Sequence, residues 1–575
     1  MREPTSDHRP RLLIIGLDGA TFDLIRPWAA AGRLPNLARL LAEGASAPLR
    51  SVPNQNSAPA WSSYATGKNP GKHGIFYFDE RIEGSYKTRY LNASFRRGDA
   101  WWTIASRAGL RVGVVNVPLS YPADPVNGVM LAGLDAPGVD SPGFSHPPEL
   151  IKELQARVGD YVIEPGVPSY IKMGRRDLAE RAIFEAEEKR LAYVRYLLTT
   201  RPWDVFHVTF TSTDAAHHFF WKDMDPSHPE HDPAEAQRYG DTILRVYQQA
   251  DAIVGELTAL APDAAVMVMS DHGGGFNQRG AEYLNGWLAS LGLLHTLDEG
   301  PMPAAARLKQ AMAAPLKWAY DLADHHLSRE GKLRLVRLFP GLRERVETMI
   351  TFGNIDWRRT KAYAYGARDD LWINLQGREP QGIVPPSEYR ALREEIIAKL
   401  YASRDVVDHE PVVEEALPRE AVYHGPYLHK APDILIRWRT TRVIRGIYLP
   451  QPGQPPPPPP PFQPSFNNGG HRLHGIFIMA GPGVRAGHTF DGAVLWDLAP
   501  TILHYLGLPV PDDMDGRVLV AAFTEEWLSR RPVQLAATAG ASAAPDGADP
   551  SRGADYSPDE EAIIEGRLRG LGYVQ

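Results

Sequence analysis

The chain has 575 residues, 23% of them charged, a formal net charge of −7 and no cysteine. That length suits one large domain with insertions or roughly two to four ordinary ones, with a substantial core. The mild acidity gives no reason to expect nucleic acid or an anionic membrane as partner, and the missing thiols exclude disulfides, thiolate zinc sites and a cysteine nucleophile.

Residues 1–11 are polar, and the apolar run at 12–17 is too short for a signal sequence or a membrane span. No later window reaches the length of a span, so the expectation is a cytoplasmic protein. The run at 12–17 reads instead as a buried parallel strand that delivers Asp18 to the edge of a crevice. Helical spacing follows at 22–31 and 35–43, with Gly44 as a stop. In the polar stretch from Ser51 to Gly67, Ser57 suits a helix N-cap with Pro59 in the first turn. Such an N-terminus also favours anions. Residues 68–76, with two lysines and His73, read as a solvated loop.

Further along, 101–107 reads as a helix, 112–117 and 129–132 as strands, and 178–198 as a long helix. A strand at 203–210 runs into Asp214 and His218, whose spacing of four puts both side chains on one helical face, close enough to hold one ion. A helix over 232–260 and a strand over 264–270 lead to Asp271, His272 and three glycines, which leave room for a ligand and permit tight turns. The pattern then changes. Residues 283–450 read as an insertion or cap, with helices at 304–322 and 332–349 and strand-like pieces at 362–365 and 371–375. Pro455 to Pro461, within an exposed loop at 451–466, can form only polyproline II or disorder. Beyond it come His471 and His474, a strand at 476–480, a helix at 497–506, a loop carrying Asp512, Asp513 and Asp515, and a short helix at 525–529. Residues 531–556 have the composition of a flexible linker, and 557–575 that of a terminal helix.

Alternating strands and helices predict an α/β fold: a central, mostly parallel sheet with helices on both faces, built from 9–282 and 467–530. Asp18, Asp214/His218, Asp271/His272 and His471 all adjoin predicted strands, where open α/β sheets hold their ligands. Three carboxylates, three imidazoles and a hydroxyl suit two divalent ions such as zinc. Two such ions can clamp the attacking and leaving oxygens of a phosphoryl displacement.

These residues resemble the alkaline phosphatase superfamily, most closely its type I phosphodiesterase and nucleotide pyrophosphatase branch. The resemblance rests on Gly16-Leu17-Asp18-Gly19, on Ser57 ahead of Thr66-Gly67, Pro70 and His73-Gly74-Ile75, and on Asp214 with His218. It continues through Ser270-Asp271-His272-Gly273, Gly470-His471, Asp497-x-Ala499-Pro500-Thr501 and Met514-Asp515-Gly516. It implies one metal held by Asp214, His218 and His471 and a second held by Asp18, Asp271, His272 and the Ser57 oxygen, with Ser57 as covalent phosphoryl acceptor. The metals would be zinc, with manganese as the alternative, and the partner a small phosphate ester rather than a nucleic acid polymer. His471 is preferred to His474 because it follows the glycine pair, and His217 is left to pack or to touch substrate. In this branch an asparagine commonly follows the His-Gly-Ile element, whereas here Phe78 or Asp79 stands in its place, a departure that bears on nucleotide diesters and leaves phosphodiester and phosphomonoester both open as the substrate class. Trp61 stands where a sulfatase needs arginine. A phosphomutase resembling cofactor-independent phosphoglycerate mutase and a non-catalytic binding module on the same fold remain the rivals.

Overall fold

The computed structural model describes residues 11–297, 354–366, 368–537 and 556–571. Its centre is a ten-stranded sheet. Nine of those strands carry labels here: β1 (Arg11–Leu17), β2 (Gly44–Arg50), β3 (Val112–Val117), β4 (Gly128–Ala132), β5 (Ser145–His146), β6 (Val205–Phe210), β7 (Ala264–Met269), β8 (His474–Ala480) and β9 (His488–Thr489). They lie in the order β9-β2-β8-β7-β1-β6-β3-β4-β5, with Ala493–Val494 beside β2. All run one way except β8, which is antiparallel to both its neighbours, and β5 at the far edge. The mostly parallel sheet expected from the sequence is therefore present. The run at 44–50 is a strand that follows the preceding helix without a gap, where Gly44 was expected only to stop that helix.

Alternation along each strand feeds two separate apolar layers. In β1, Leu13, Ile15 and Leu17 face one side while Leu12 and Ile14 face the other, and β7 repeats this with Val266 and Val268 against Met267 and Met269. The first side is covered by α1 (Phe22–Ala30), α2 (Pro35–Glu43), α5 (Arg176–Thr200), α6 (Ser212–Met224) and α7 (Thr242–Leu260). The second is covered by α3 (Ser57–Thr66), α4 (Trp101–Arg107) and α8 (Leu498–Tyr505). A helix expected over 232–260 is two, Pro233–Tyr239 and α7, separated at Gly240 and Asp241.

The Lys68–Phe76 stretch is not a solvated loop. Pro70–His73 makes one helical turn, His73 is fully buried with Nε2 2.9 Å from Ser63 Oγ, and Lys72 pairs with Asp515 at 2.6 Å. Lys68 pairs with Asp513. The carboxylates at 513 and 515 thus neutralise the two lysines instead of standing in solvent.

Residues beyond 354 build a smaller antiparallel sheet from Ala362–Tyr363, Asp370–Ile373, Ile434–Trp438 and Val413–Pro418, backed by the helix Pro386–Ala402 around its own apolar cluster. The helices expected at 304–322 and 332–349 lie outside the described residues. Pro455 to Pro461 are exposed and carry no regular hydrogen-bonded structure. Of the expected linker, Leu535–Ala536 pairs in parallel with Val510–Pro511, and 538–555 lie outside the described residues. The terminal helix, α9 (Pro558–Leu571), packs Ile564 and Leu568 into the first apolar layer.

Candidate active site

Four strand ends, the approach to a fifth strand and the first turns of two helices bring the seven candidate residues together. Asp18 follows β1, Asp214 and His218 stand in the first two turns of α6 just after β6, and Asp271 and His272 follow β7. Ser57 opens α3 from the loop after β2, and His471 lies just ahead of β8. All are buried except His471, which is partly open.

The expectation that Ser57 caps its own helix needs correcting. Asn56 is the N-cap, its Oδ1 accepting from the Ala58 N–H at 3.1 Å, and Ser57 is the first helical residue. Because a neighbour carries the cap, the Ser57 hydroxyl turns to the site and lies 3.1 Å from His272 Nε2. The whole of α3 is buried, so this oxygen is held by a packed helix and not by a flexible loop.

Two groups of side chains converge. Asp214, His218 and His471 form one, Asp18, Asp214 and His272 the other, and within each the nearest ligand atoms lie within 4.8 Å of one another. Asp214 belongs to both. His218 Nε2 is 3.4 Å from Asp214 Oδ2, and His471 Nε2 is 3.7 Å from Asp214 Oδ1. His272 Nε2 is 3.4 Å from Asp271 Oδ2 and 3.7 Å from Asp18 Oδ1. The His272 and His471 rings stack with centroids 3.8 Å apart. His474, by contrast, is exposed on β8 and pairs across the strand with Arg50, so it takes no part.

The backbone sets which nitrogen of each imidazole faces inward. Nδ1 of His218 meets the Gly469 carbonyl at 3.2 Å, Nδ1 of His272 the Gly273 carbonyl at 3.0 Å, and Nδ1 of His471 the Gln55 carbonyl at 2.6 Å. A carbonyl can only accept, so each Nδ1 carries a proton, and in the neutral imidazole it is Nε2 that turns a lone pair to the site. His218 Nε2 and His471 Nε2 are 3.1 Å apart. Two nitrogens on a tetrahedral zinc at 2.0–2.1 Å would stand about 3.3 Å apart. Gln55 reaches this position with φ of 51°, in the left-handed region, a local strain that aims its carbonyl at His471.

The charges are equally telling. Asp18 Oδ1 and Asp271 Oδ2 are buried and accept no hydrogen bond. Burial, reinforced by the charges of Asp271 and Asp214, raises the Asp18 carboxyl well above its ordinary range. Burial also works to raise Asp214, but His218, His471 and His272 outweigh it and pull that carboxyl down. His218 is raised because Asp214 outweighs its burial, whereas His471 is lowered by burial and by the neighbouring His272. Three buried carboxylates, two of them with an oxygen that accepts no hydrogen bond, and three imidazoles with Nε2 inward are the donor set of a divalent cation, so the residues fit the metals that the sequence resemblance implies.

The glycines act differently from expectation. Gly273–Phe276 pairs antiparallel with Gly469–Arg472, a ribbon that brings the His272 and His471 segments side by side. A Cβ on Gly274 would lie 2.0 Å from His217 Nδ1, and one on Gly469 would lie 1.9 Å from the His217 carbonyl. The glycines therefore let the ribbon lie against α6, not against a ligand. His217 itself is packed, its Nε2 3.1 Å from Tyr247 Oη, and burial holds it down to about 3. Phe78 is part of the apolar core and the Asp79 carboxylate is taken by Arg368, so neither position supplies an amide to Ser57. Trp61 is buried against Tyr64. Gln55 and the ribbon were not recognised from sequence; the glycine pairs were the only signal of the latter.

The family model for type I phosphodiesterase/nucleotide pyrophosphatase matches residues 12–444, a span that includes Asp18, Ser57, Asp214, His218, Asp271 and His272. No curated protein matches the chain. Among solved structures, it is similar to phosphonoacetate hydrolase from Sinorhizobium meliloti 1021 in complex with phosphonoformate, at 15% identity and a TM-score of 0.49, over 85% of this chain and 95% of that one. It is similar also to murine ectonucleotide pyrophosphatase/phosphodiesterase 5 in complex with AMP, at 13% identity and a TM-score of 0.44, over 87% of this chain and 95% of the other.

Proposed function

The chain belongs to the type I phosphodiesterase/nucleotide pyrophosphatase family, and from that premise we propose that it is a metal-dependent phosphoric ester hydrolase in which Ser57 is the covalent phosphoryl acceptor. Asp214, His218 and His471 would hold one divalent cation. Asp18, Asp271, His272 and the Ser57 oxygen would hold the second, zinc in both cases by donor type. When bound, such a pair makes a serine hydroxyl nucleophilic at neutral pH and stabilises charge on the attacking and leaving oxygens.

The chain's own residues do the rest. Asn56 fixes the start of α3 and the buried helix fixes Ser57, while the positive end of the helix dipole favours the anionic phosphoryl group. Ser57 Oγ attacks phosphorus, the ester oxygen leaves, and water cleaves the phosphoserine to return the hydroxyl and release phosphate or a phosphomonoester. The carbonyls of Gln55, Gly469 and Gly273 keep all three imidazoles turned with Nε2 inward throughout. With no amide at position 78 or 79, the phosphoryl group is not held in the way an asparagine there would hold it.

The observation that carries this reading is the pair of ligand groups that share Asp214, one of which reaches the Ser57 oxygen through His272 Nε2 at 3.1 Å. The test is hydrolysis of p-nitrophenyl phosphate and bis-p-nitrophenyl phosphate by zinc-loaded wild type and Ser57→Ala. Turnover of at least one ester, lost by about 10³-fold or more in the variant, is expected. Wild-type protein that binds two metals and leaves both esters intact would sink the hydrolase reading.

A further inference from the structure

The terminal helix α9 is joined to the core by contacts that lead towards the candidate centre. Ile564 and Leu568 are buried in the apolar layer beneath it, and Gly570 abuts Pro168. Just before the helix, Tyr556 stacks on Tyr121 with rings 6.1 Å apart and 6° from parallel, and its hydroxyl donates to the Asp135 carbonyl at 2.7 Å. Arg567 donates through Nη1 to the carbonyls of Leu134 at 2.5 Å and Ala136 at 2.6 Å. These carbonyls open the loop that follows β4, so a charged donor there ties the helix by polar bonds as well as by apolar contact.

The far end of the helix matters most. Its last carbonyls have no partner within the helix, and the Leu571 carbonyl accepts from Asn467 Nδ2 at 3.3 Å. Asn467 begins the segment that runs to His471. Its own carbonyl accepts from Asn277 Nδ2 at 3.1 Å, Asn468 N–H donates to the His218 carbonyl at 2.9 Å, and Asn468 Oδ1 accepts from the Lys222 N–H at 3.0 Å. The next carbonyl, of Gly469, is the one that receives His218 Nδ1. The helix end is therefore two residues from the group that orients one imidazole and four residues from the second.

We propose that α9 is a positioning element for the Asp214, His218 and His471 group: docked, it holds the Asn467–Gly469 segment in the register that turns His218 and His471 inward. This rests on the ligand assignment given under Proposed function. Asn467, Arg567 and Leu568 touch no candidate ligand and act only through the segment.

The test uses full-length Leu568→Asp, which sets a charge in the apolar seat, with Leu568→Met as the conservative control and Arg567→Ala and Asn467→Ala as milder variants. Zinc affinity is measured by competition with a chromophoric chelator, and amide hydrogen exchange across 465–473 by mass spectrometry. The expected result is a loss of about tenfold or more in affinity for one of two zinc ions, as for other groups that orient ligands. Faster exchange confined to that segment and to α9 should accompany it, with Leu568→Met like wild type. If Leu568→Asp does not fold, Arg567→Ala and Asn467→Ala decide by the same readouts. Unchanged affinity for both ions with α9 exchanging freely would overturn the proposal and leave the ligand assignment standing. A folded wild type that binds no zinc would overturn the assignment, and the proposal with it.

Discussion

Replacing Asp18 by asparagine should move the stability of the metal-free and metal-loaded protein in opposite directions. Without a cation, Asp18 is buried, its Oδ1 accepts no hydrogen bond, and its nearest ligand atom lies within 4.8 Å of that of Asp214. Two unit charges of like sign at that separation repel by about 3.5 kcal/mol at an effective dielectric constant of about 20. Protonation within the cluster relieves part of this, so the variant should gain about 1–3 kcal/mol when metal-free. With metal the sign reverses, because the amide brings no charge to the cation. A ligand present at a thousand times its Kd stabilises the native state by about 4 kcal/mol, and each tenfold loss of affinity removes about 1.4 kcal/mol of that. Thermal melts of chelator-treated and zinc-saturated wild type and Asp18→Asn, at one pH and one protein concentration, make the comparison. The expected signature is a crossing, with the variant melting higher without metal and lower with it. A variant that melts lower in both states would show that Asp18 is an ordinary structural carboxylate and that the cluster is not built around a cation.

Asp271→Asn or His272→Ala should lower metal content together with rate; an unchanged metal-to-protein ratio by elemental analysis would mean that the second group is wrongly assembled. Acid should also weaken the fold through two imidazoles outside the centre. Burial holds His73 and His207 each down to about 3, so both are neutral in the native state, whereas an unfolded imidazole titrates near about 6.5. The unfolded chain then binds more protons, and stability is lost as pH falls below that value, by about 1.4 kcal/mol per histidine at about pH 5.5. Urea midpoints at pH 7.5 and 5.5 should show this drop, and His207→Gln, which can still meet Tyr64 and Thr209, should reduce it by about 1.4 kcal/mol. An equal drop in the variant would contradict the assignment for His207.

Much of this molecule was legible before any coordinates. The strands at Leu12, Val112, Val205 and Ala264 declare themselves because a strand buried on both faces must be apolar at every position, and in β1 Leu12 and Ile14 serve one layer while Leu13, Ile15 and Leu17 serve the other. The candidate ligand residues were legible for a related reason: side chains that can hold a metal are few in kind, and each stands beside such a strand or one helical turn apart. Asp214 and His218 show this most simply, since helical spacing alone puts them on one face.

What sequence could not decide is everything that depends on a partner far away in the chain. Whether Asn56 or Ser57 caps α3 is a contest between neighbours, settled here by His272, which lies 215 positions from Ser57. The glycines at 273–275 looked like room for a ligand, yet what they admit is the His474 carbonyl, the His217 ring and the Arg472 guanidinium in turn. Lys68 and Lys72 looked solvated because nothing local marks Asp513 and Asp515 as their partners. Local pattern fixes which residues can form a strand or hold a cation, since those are properties of a few adjacent side chains. Which atoms meet is set by long-range packing, and only there do the carbonyls of Gln55, Gly469 and Gly273 turn three imidazoles towards the carboxylates of Asp18, Asp214 and Asp271.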